Sequence, residues 1–524
     1  MSSRLASVSE SGTDTNECGD GADAATSLLK SNDGERTVQK EAASVSDANI
    51  VDSVSSPTAS MSPLRRGLIV LGLCLTVASS CIQGTFGPFY FRDALEKNPG
   101  AGPGYHTAVG AVFSVTGATS LVVAPVVTRV LRDVGSKQLL VIASATRSAA
   151  SLLFSTLNSI GDWRVFLTYS YILRFIQGFG LLAITIPTMT YLTRMYPHNL
   201  GFVNSWLIIS MSMGKAAGLV LSGGLYDVGG FKLPFLVTGA TGLLVSLCVA
   251  LFIVDIDKLA MEQKLQQQQQ QQQKQQESNN GSTGTAAVPE KHVSTLRILC
   301  VPWVWVICLF AVSSAPAYSS LEALLAPHVK SQFGASAVVI GAALALFLTQ
   351  SLIFGPILGG LLDRGFSRYA LLALALLLIG LGCLIVAPAT FLHLPNSLVL
   401  VFVSMFVSGV GRVLGIVTFP VVLAEHLRDI GFGNVVEMRV AVSGLTRVVL
   451  SLGSSAGPLV MSPLVAVLGF QTAFTILGCI YLGLACLLVL VKWSGVVVRK
   501  LINRDTHSST DEQVTSTELQ PLKH

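Results

Sequence analysis

The sequence predicts an all-α membrane protein whose twelve transmembrane helices form two pseudo-symmetric six-helix bundles. Three observations support this prediction. Of the 524 residues, 51% are hydrophobic and only 12% are charged, which is roughly half the charged fraction of an ordinary soluble domain. Apolar runs long enough to cross a hydrocarbon core of ~30 Å recur along the chain, beginning with Gly67–Phe91. Similar motifs also occupy corresponding places in the two halves.

Polar residues divide the apolar sequence into twelve predicted spans. Those of the first half lie near residues 67–91, 107–130, 138–157, 165–191, 201–225 and 233–255. Those of the second half lie near residues 301–327, 337–361, 369–390, 398–424, 440–463 and 471–493.

These spans divide the chain into five predicted regions. Six-helix bundles cover residues 64–255 and 298–493. Cytosolic tails cover residues 1–63 and 494–524, and a linker over 256–297 contains the run Gln266–Gln273. The first tail and the linker are too polar to bury a core, so we expect both to lack regular structure. The first tail also lacks the apolar segment of a signal peptide.

The distribution of Lys and Arg predicts the orientation in the membrane. The predicted loops on one side of the membrane are rich in Lys and Arg, as are the linker and the segments that join the bundles to the two tails. The side with more Lys and Arg is normally cytosolic. The opposite connections hold only Arg92, Lys97, Arg164, Lys232 and Lys330. Both termini are therefore predicted to be cytosolic, which requires an even number of spans.

Glycine motifs relate the two halves. Gly214-x-x-x-Gly218 in the fifth span corresponds to Gly453-x-x-x-Gly457-Pro458 in the eleventh. Small residues at this spacing let neighbouring membrane helices approach closely. Repeated halves are typical of secondary transporters, whose substrate site lies between the halves near the bilayer midplane. We interpret these glycines as positions that packing or conformational change requires.

Charged side chains inside the spans are the candidate functional residues. Arg174 and Gln177 belong to the string Arg-Phe-Ile-Gln-Gly-Phe-Gly, and Arg174 lies ~15 Å into its span. An arginine at that depth is costly unless it faces a polar cavity or a partner, or unless backbone carbonyls satisfy it at a kink. The predicted spans contain five interior cations but only one clear interior acid, Glu322. These cations are Arg147, Arg174, Lys215, Arg412 and Arg447.

This charge surplus bears on the substrate. A polycation would enter an unfavourable field unless some of the basic groups are paired or deprotonated. Lys215 could lose its proton if it is desolvated, whereas the arginines could not.

A second motif lies at the end of the eighth span, where Gly359 precedes Asp363 and Arg364. An acid at a helix end can pair with basic residues across the bundle and hold one conformation. The alternative interpretation is that Arg364 only contributes to the positive cytosolic side.

Together these motifs resemble those of the major facilitator superfamily, in which the span-four arginine is associated with proton coupling. Leu219 stands where the superfamily's antiporter motif has proline. A narrower resemblance over residues 64–493 is to the vesicular amine transporter family, and most of all to its vesicular polyamine transporter branch. The segments that carry it are Pro88-Phe89-Tyr90, Gly223–Phe235, Ser320-Leu321-Glu322 and Thr418-Phe419-Pro420.

The resemblance implies an antiporter that exchanges lumenal protons for cytosolic amines or polyamines in an intracellular vesicle membrane. It also implies that Glu322 lies near the amine path and that Glu425 is a proton-coupling acid. The aspartate that monoamine members carry in span one is absent here, where only Gln83 and hydroxyl groups are available.

The remaining expectations are negative or general. We predict a monomer that binds a small-molecule substrate, protons and membrane lipid, but no nucleic acid, cofactor or metal. No glycine-rich nucleotide-binding loop occurs, so transport should be driven by a gradient, and the protein should not be an enzyme. Two alternatives stay open. The interior cations favour an organic-anion carrier, and the altered motifs allow a non-transporting membrane scaffold.

Overall fold

The computed structural model describes residues 63–99, 102–195, 200–252, 302–364, 366–388, 390–429 and 435–490. Within these ranges the regular structure is α-helical apart from two short 3₁₀ turns, and no strand occurs. The all-α prediction is confirmed. The predicted linker over 256–297, the C-terminal tail over 494–524 and all but the last residue of the N-terminal tail lie outside the described residues.

The first half contains seven described helices. They are α1 (Pro63–Gly84), α2 (Tyr90–Glu96), α3 (Pro103–Val134), α4 (Ser136–Thr156), α5 (Trp163–Met195), α6 (Leu200–Gly229) and α7 (Lys232–Phe252). The second half contains another seven in its described part. They are α8 (Pro302–Ser314), α9 (Pro316–Phe333), α10 (Ala337–Asp363), α11 (Arg368–Val386), α12 (Leu398–Asp429), α13 (Val435–Leu468) and α14 (Phe470–Leu490).

Ten of these helices, α3 to α7 and α10 to α14, are long and apolar enough to cross a membrane. The first and seventh predicted spans are instead interrupted. Gly87 and Pro88 separate α1 from α2, and α8 ends just before Pro316, which begins α9 without a backbone N–H to continue the helix. A total of twelve spans therefore requires that each interrupted pair be counted as one.

The glycine motifs pack the two halves in the same way. Gly214 and Gly218 of α6 lie against the backbone of α1, where a Cβ at Gly218 would overlap the carbonyl of Cys81. Gly453 and Gly457 of α13 lie against α8 and α9, where a Cβ at Gly457 would come within 2.6 Å of the Pro316 carbonyl. The fifth span of each half thus packs on the first span of that half, as a repeated architecture requires.

Two further helix pairs join the halves to each other. Gly223 of α6 lies against the backbone of Ala337 and Val338 in α10, and Gly341 lies against the Leu219 carbonyl. At the same level Gly110 of α3 packs on α13, where a Cβ would come within 2.8 Å of the Pro458 carbonyl. We call this region the closed end.

Asp227 also ties the halves together at the closed end. Its carboxylate accepts hydrogen bonds from the backbone N–H groups of Ala337, at 3.0 Å, and Val338, at 3.1 Å. Both belong to the first turn of α10, whose N–H groups have no partner within the helix. A side chain of the first half therefore caps a helix of the second.

Candidate functional site

A cavity of about 250 Å³ lies between the two halves. Gln83 and Glu322 line it on the side of the closed end. Thr185, Met211 and Arg447 line its other side, which we call the open end, and Arg447 is exposed there. Both halves contribute polar groups to the cavity lining.

An ion pair between the halves is the central feature of this cavity. Lys215 of α6 places its Nζ atom 2.8 Å from Oε2 of Glu322 in α9, and the two side chains are only 14% and 10% exposed. The same ammonium lies 4.6 Å from the centroid of the Tyr318 ring. A carboxylate and an aromatic face together form a binding site for an ammonium group, which Lys215 occupies in this structure.

Two arginines line the cavity without an acidic partner. The Cζ atom of Arg412 lies 5.6 Å from the Tyr318 ring, and its Nη1 atom is 3.4 Å from the Ser351 hydroxyl. Among the described residues, the hydrogen-bond partner of Arg447 is the sulfur of Met211, at 3.9 Å. Within the described part of the chain, neither arginine forms an ion pair with a carboxylate. The lining therefore has a surplus of positive charge.

Arg174 and Gln177 lie beside the cavity and not in its lining. The Arg174 guanidinium lies 3.4 Å above the Phe86 ring, and its Nη1 atom is 3.4 Å from Oε1 of Gln177. Its Nε atom and the Gln177 Nε2 atom are buried without an acceptor among the described residues. Unsatisfied buried donors are uncommon, so Arg174 and Gln177 have unused hydrogen-bonding capacity toward described residues.

Arg147 has a different environment from the other interior cations. Its guanidinium donates to the Ser79 carbonyl from Nε, at 3.2 Å, and from Nη2, at 3.0 Å, and it also donates to the Gln177 carbonyl. The side chain is 1% exposed and is absent from the cavity lining. Arg147 therefore connects α1, α4 and α5 through buried hydrogen bonds.

We expect Arg147→Met to lower the thermal unfolding temperature of the purified protein. The substitution removes the hydrogen bonds that the guanidinium donates to the buried Ser79 and Gln177 carbonyls, and a hydrogen bond to a charged group contributes about 1.5–3 kcal/mol. Arg164→Met is a matched control, because Arg164 is an exposed arginine on the same helix as Gln177. Unchanged stability of Arg147→Met together with loss of transport would show that Arg147 acts in the site instead.

Two other predicted residues lie away from the cavity. Glu425 forms an ion pair with Arg368 between α12 and α11, and both side chains remain substantially exposed. Asp363 ends α10, and its side chain lies outside the described part of the chain. Arg364 is exposed, and a Cβ at Gly359 would meet open space. The predicted latch at this motif stays a prediction.

A cluster that the sequence did not reveal lies at the closed end. Oδ1 of Asp93 accepts hydrogen bonds from Arg92, at 2.7 Å, and from the Tyr226 hydroxyl, at 2.9 Å. Because Tyr226 precedes the capping residue Asp227, the cluster supports the contact between the halves. The adjacent opposite charges of Arg92 and Asp93 were the only signal in the sequence.

The paired helical halves, with a polar cavity between them that is closed at one end, define a multi-pass membrane transporter. The sequence profile of the Major Facilitator Superfamily matches residues 68–434 and 315–510. The chain belongs to this superfamily and is not an enzyme.

Curated relatives agree with this assignment. The chain is 24% identical over 454 residues to the MFS-type transporter SLC18B1 of Homo sapiens, covering 86% of this chain and 91% of that protein. It is 23% identical over 421 residues to the mouse (Mus musculus) protein of the same name, covering 79% and 84%. The predicted resemblance to the superfamily is confirmed.

Solved structures show the same fold. A bacterial homologue of the human lysosomal transporter Spinster, in an inward-facing and occupied conformation, aligns with a TM-score of 0.60 at 13% identity, covering 82% of this chain and 97% of that one. The nucleoside transporter NupG aligns with a TM-score of 0.57 at 13% identity, covering 81% and 98%.

Proposed function

We propose that the protein is a proton-coupled antiporter that exchanges protons for organic amines. The observation that carries the proposal is the position of the Lys215 ammonium, which is 2.8 Å from Glu322 and 4.6 Å from the Tyr318 ring. An amine substrate presents the same chemical group. It can therefore displace Lys215 and bind to the same carboxylate and ring.

Exchange follows from competition for Glu322. The carboxylate binds an ammonium group only while it is ionised, so a proton on Glu322 and an amine on Glu322 exclude each other. If the cavity opens alternately to the two sides of the membrane, an amine leaves on the acidic side when a proton arrives. Arg174, which lies beside the cavity, would bias this protonation.

The ion pair also provides a link between binding and conformational change. Lys215 belongs to the first half and Glu322 to the second, so their contact helps to hold the halves together. An amine that takes Glu322 removes this contact and favours a relative movement of the halves about the central cavity. Asp363 would stabilise one of the two conformations.

The charge distribution supports a direction of transport. If both termini are cytosolic, as the positive-inside rule predicts, the open end faces the cytosol and the closed end faces a lumen. Amines would then enter from the cytosol and be released into an acidic vesicle.

Purified protein in liposomes with an acidic interior tests this function. We expect accumulation of a labelled amine and a rise in internal pH, both beyond those of protein-free liposomes, and we expect an ionophore that collapses the pH gradient to abolish this difference. Accumulation that does not respond to the gradient would contradict proton coupling. No flux across a broad panel of substrates would favour the scaffold alternative.

Arg412 and Arg447, which form no ion pair with a described carboxylate, favour a second candidate function, the transport of organic anions. In that case simple carboxylates should compete with the amine for the cavity and should be transported without it. The same liposomes distinguish the two candidates, because the labelled carboxylate and the labelled amine can be offered separately.

A further inference from the structure

We infer that the transported amine also carries an acidic group, so that the substrate is a compact zwitterion. This inference rests on the proposed amine exchange and narrows its substrate class. It is carried by the charges that line the cavity and by their arrangement around Tyr318.

The charge balance supports an acidic group on the substrate. Among the described residues that line the cavity, Lys215, Arg412 and Arg447 are the cations and Glu322 is the only carboxylate. When an ammonium group takes Glu322, the charge of Lys215 loses its counter-ion and joins that of Arg412. A simple amine or a diamine leaves these cations unbalanced, whereas a carboxylate on the same molecule neutralises them.

The geometry limits how far apart the two ends of the substrate can be. The ammonium position, marked by Lys215 Nζ, and the Arg412 guanidinium lie 4.6 Å and 5.6 Å from the centroid of the same ring, that of Tyr318. One molecule can therefore span from Glu322 to Arg412 across the ring with its charged groups only a few bonds apart.

Arg412 has the capacity to bind a carboxylate. Ser351 is its one hydrogen-bond partner among the described residues, at 3.4 Å. The other N–H groups of a guanidinium form a fork that matches the two oxygens of a carboxylate. Arg447, exposed towards the open end, adds a positive potential that attracts the acidic end of the molecule as it enters.

Four compounds with the same number of carbon atoms test the inference. Liposomes containing the full-length protein and an acidic interior receive labelled γ-aminobutyrate, butylamine, putrescine or butyrate in separate experiments. We expect γ-aminobutyrate to enter about tenfold faster than each of the others.

Variants of Arg412 locate the acidic end. Arg412→Gln should slow γ-aminobutyrate about tenfold and speed butylamine, because the charge that binds one and repels the other is gone. Arg412→Lys should keep part of the preference, since the charge remains without the fork. Arg164→Gln, on an exposed position outside the cavity, serves as the control.

The outcomes separate this inference from the proposed function. Gradient-driven entry of butylamine or putrescine at a rate equal to that of γ-aminobutyrate, after the rate in protein-free liposomes is subtracted, would overturn the zwitterion and leave amine exchange intact. Fastest entry of butyrate, or no gradient-driven entry of any of the four compounds, would overturn both. If a stably folded Arg412→Gln protein still preferred γ-aminobutyrate to butylamine to the same extent, Arg412 would not be the residue that binds the acidic end of the substrate.

Discussion

Replacing Glu322 by Gln should reduce gradient-driven amine uptake about a hundredfold or more. Gln has nearly the same shape but cannot hold an ammonium by charge, and it does not take up the proton that is exchanged. Glu322 is the only carboxylate among the described residues that line the cavity, so no other described acid can replace it there. Uptake in liposomes with and without a pH gradient measures the effect.

Stability must be separated from function in this variant. Glu322→Gln leaves Lys215 without its counter-ion, which costs about 3–5 kcal/mol for a fully buried pair and less here because the pair borders a cavity. The double variant Lys215→Met/Glu322→Gln removes both charges and should recover the unfolding temperature without recovering transport. Recovery of transport in the double variant would show that the carboxylate has only a structural role.

Glu425→Gln is the matched control for the same assay. Its ion pair with Arg368 lies at the end of α12 and is substantially exposed, and exposed pairs contribute little to stability. We expect near-normal uptake. A large loss with Glu425→Gln but not with Glu322→Gln would move the proton-coupling acid out of the cavity.

Gly223→Ala should abolish most transport by preventing the halves from meeting at the closed end. A Cβ at this position would lie 2.7 Å and 2.8 Å from backbone atoms of Ala337 and Val338, which cannot move without displacing α10. Gly224→Ala is an unusually close control. The methyl group at that adjacent position meets only a side-chain atom of Val338, at 3.9 Å, so we expect normal transport.

Thiol labelling shows whether the closed end has opened. In a background without the native cysteines, Gln83→Cys places a thiol in the cavity lining. A membrane-impermeant reagent added at the closed end should label it slowly in the otherwise normal protein and about tenfold faster in Gly223→Ala. Equal labelling in Gly223→Ala and Gly224→Ala would contradict the role assigned to this helix contact.

The positions of most helices could be predicted from the sequence because a helix needs a long apolar run to cross the bilayer, although α5 and α13 extend past both predicted ends. The predicted spans at 337–361 and 398–424 begin at the residues where α10 and α12 begin. The interruptions around Pro88 and Pro316 were not predicted, because these prolines lie within otherwise continuous apolar runs. Proline is tolerated in membrane helices, so its position alone does not identify a break.

The site itself could be predicted only in part. The sequence identified Glu322 and Lys215 as interior charges, but they are 107 residues apart, and no periodicity connects two helices in different halves. Arg147 and Arg174 also looked alike, as arginines deep in apolar spans. Arg147 differs from Arg174 because it donates hydrogen bonds to the Ser79 and Gln177 carbonyls. Both carbonyls belong to helices other than that of Arg147, so the sequence does not reveal these contacts.

The closed end was the least predictable part. Asp93 and Asp227 lie in or next to predicted extracytosolic connections, where acidic residues are common and need no special explanation. Their importance comes from what they contact, namely the Tyr226 hydroxyl and the first turn of α10. Such contacts depend on how α2, α6 and α10 meet.

A structure of the protein with an amine substrate bound tests the proposed exchange at Glu322 most directly. We expect the substrate nitrogen about 3 Å from the Glu322 carboxylate, over the Tyr318 ring, with Lys215 displaced beyond hydrogen-bonding distance. A bound substrate elsewhere in the cavity, with Lys215 still 2.8 Å from Glu322, would contradict the account.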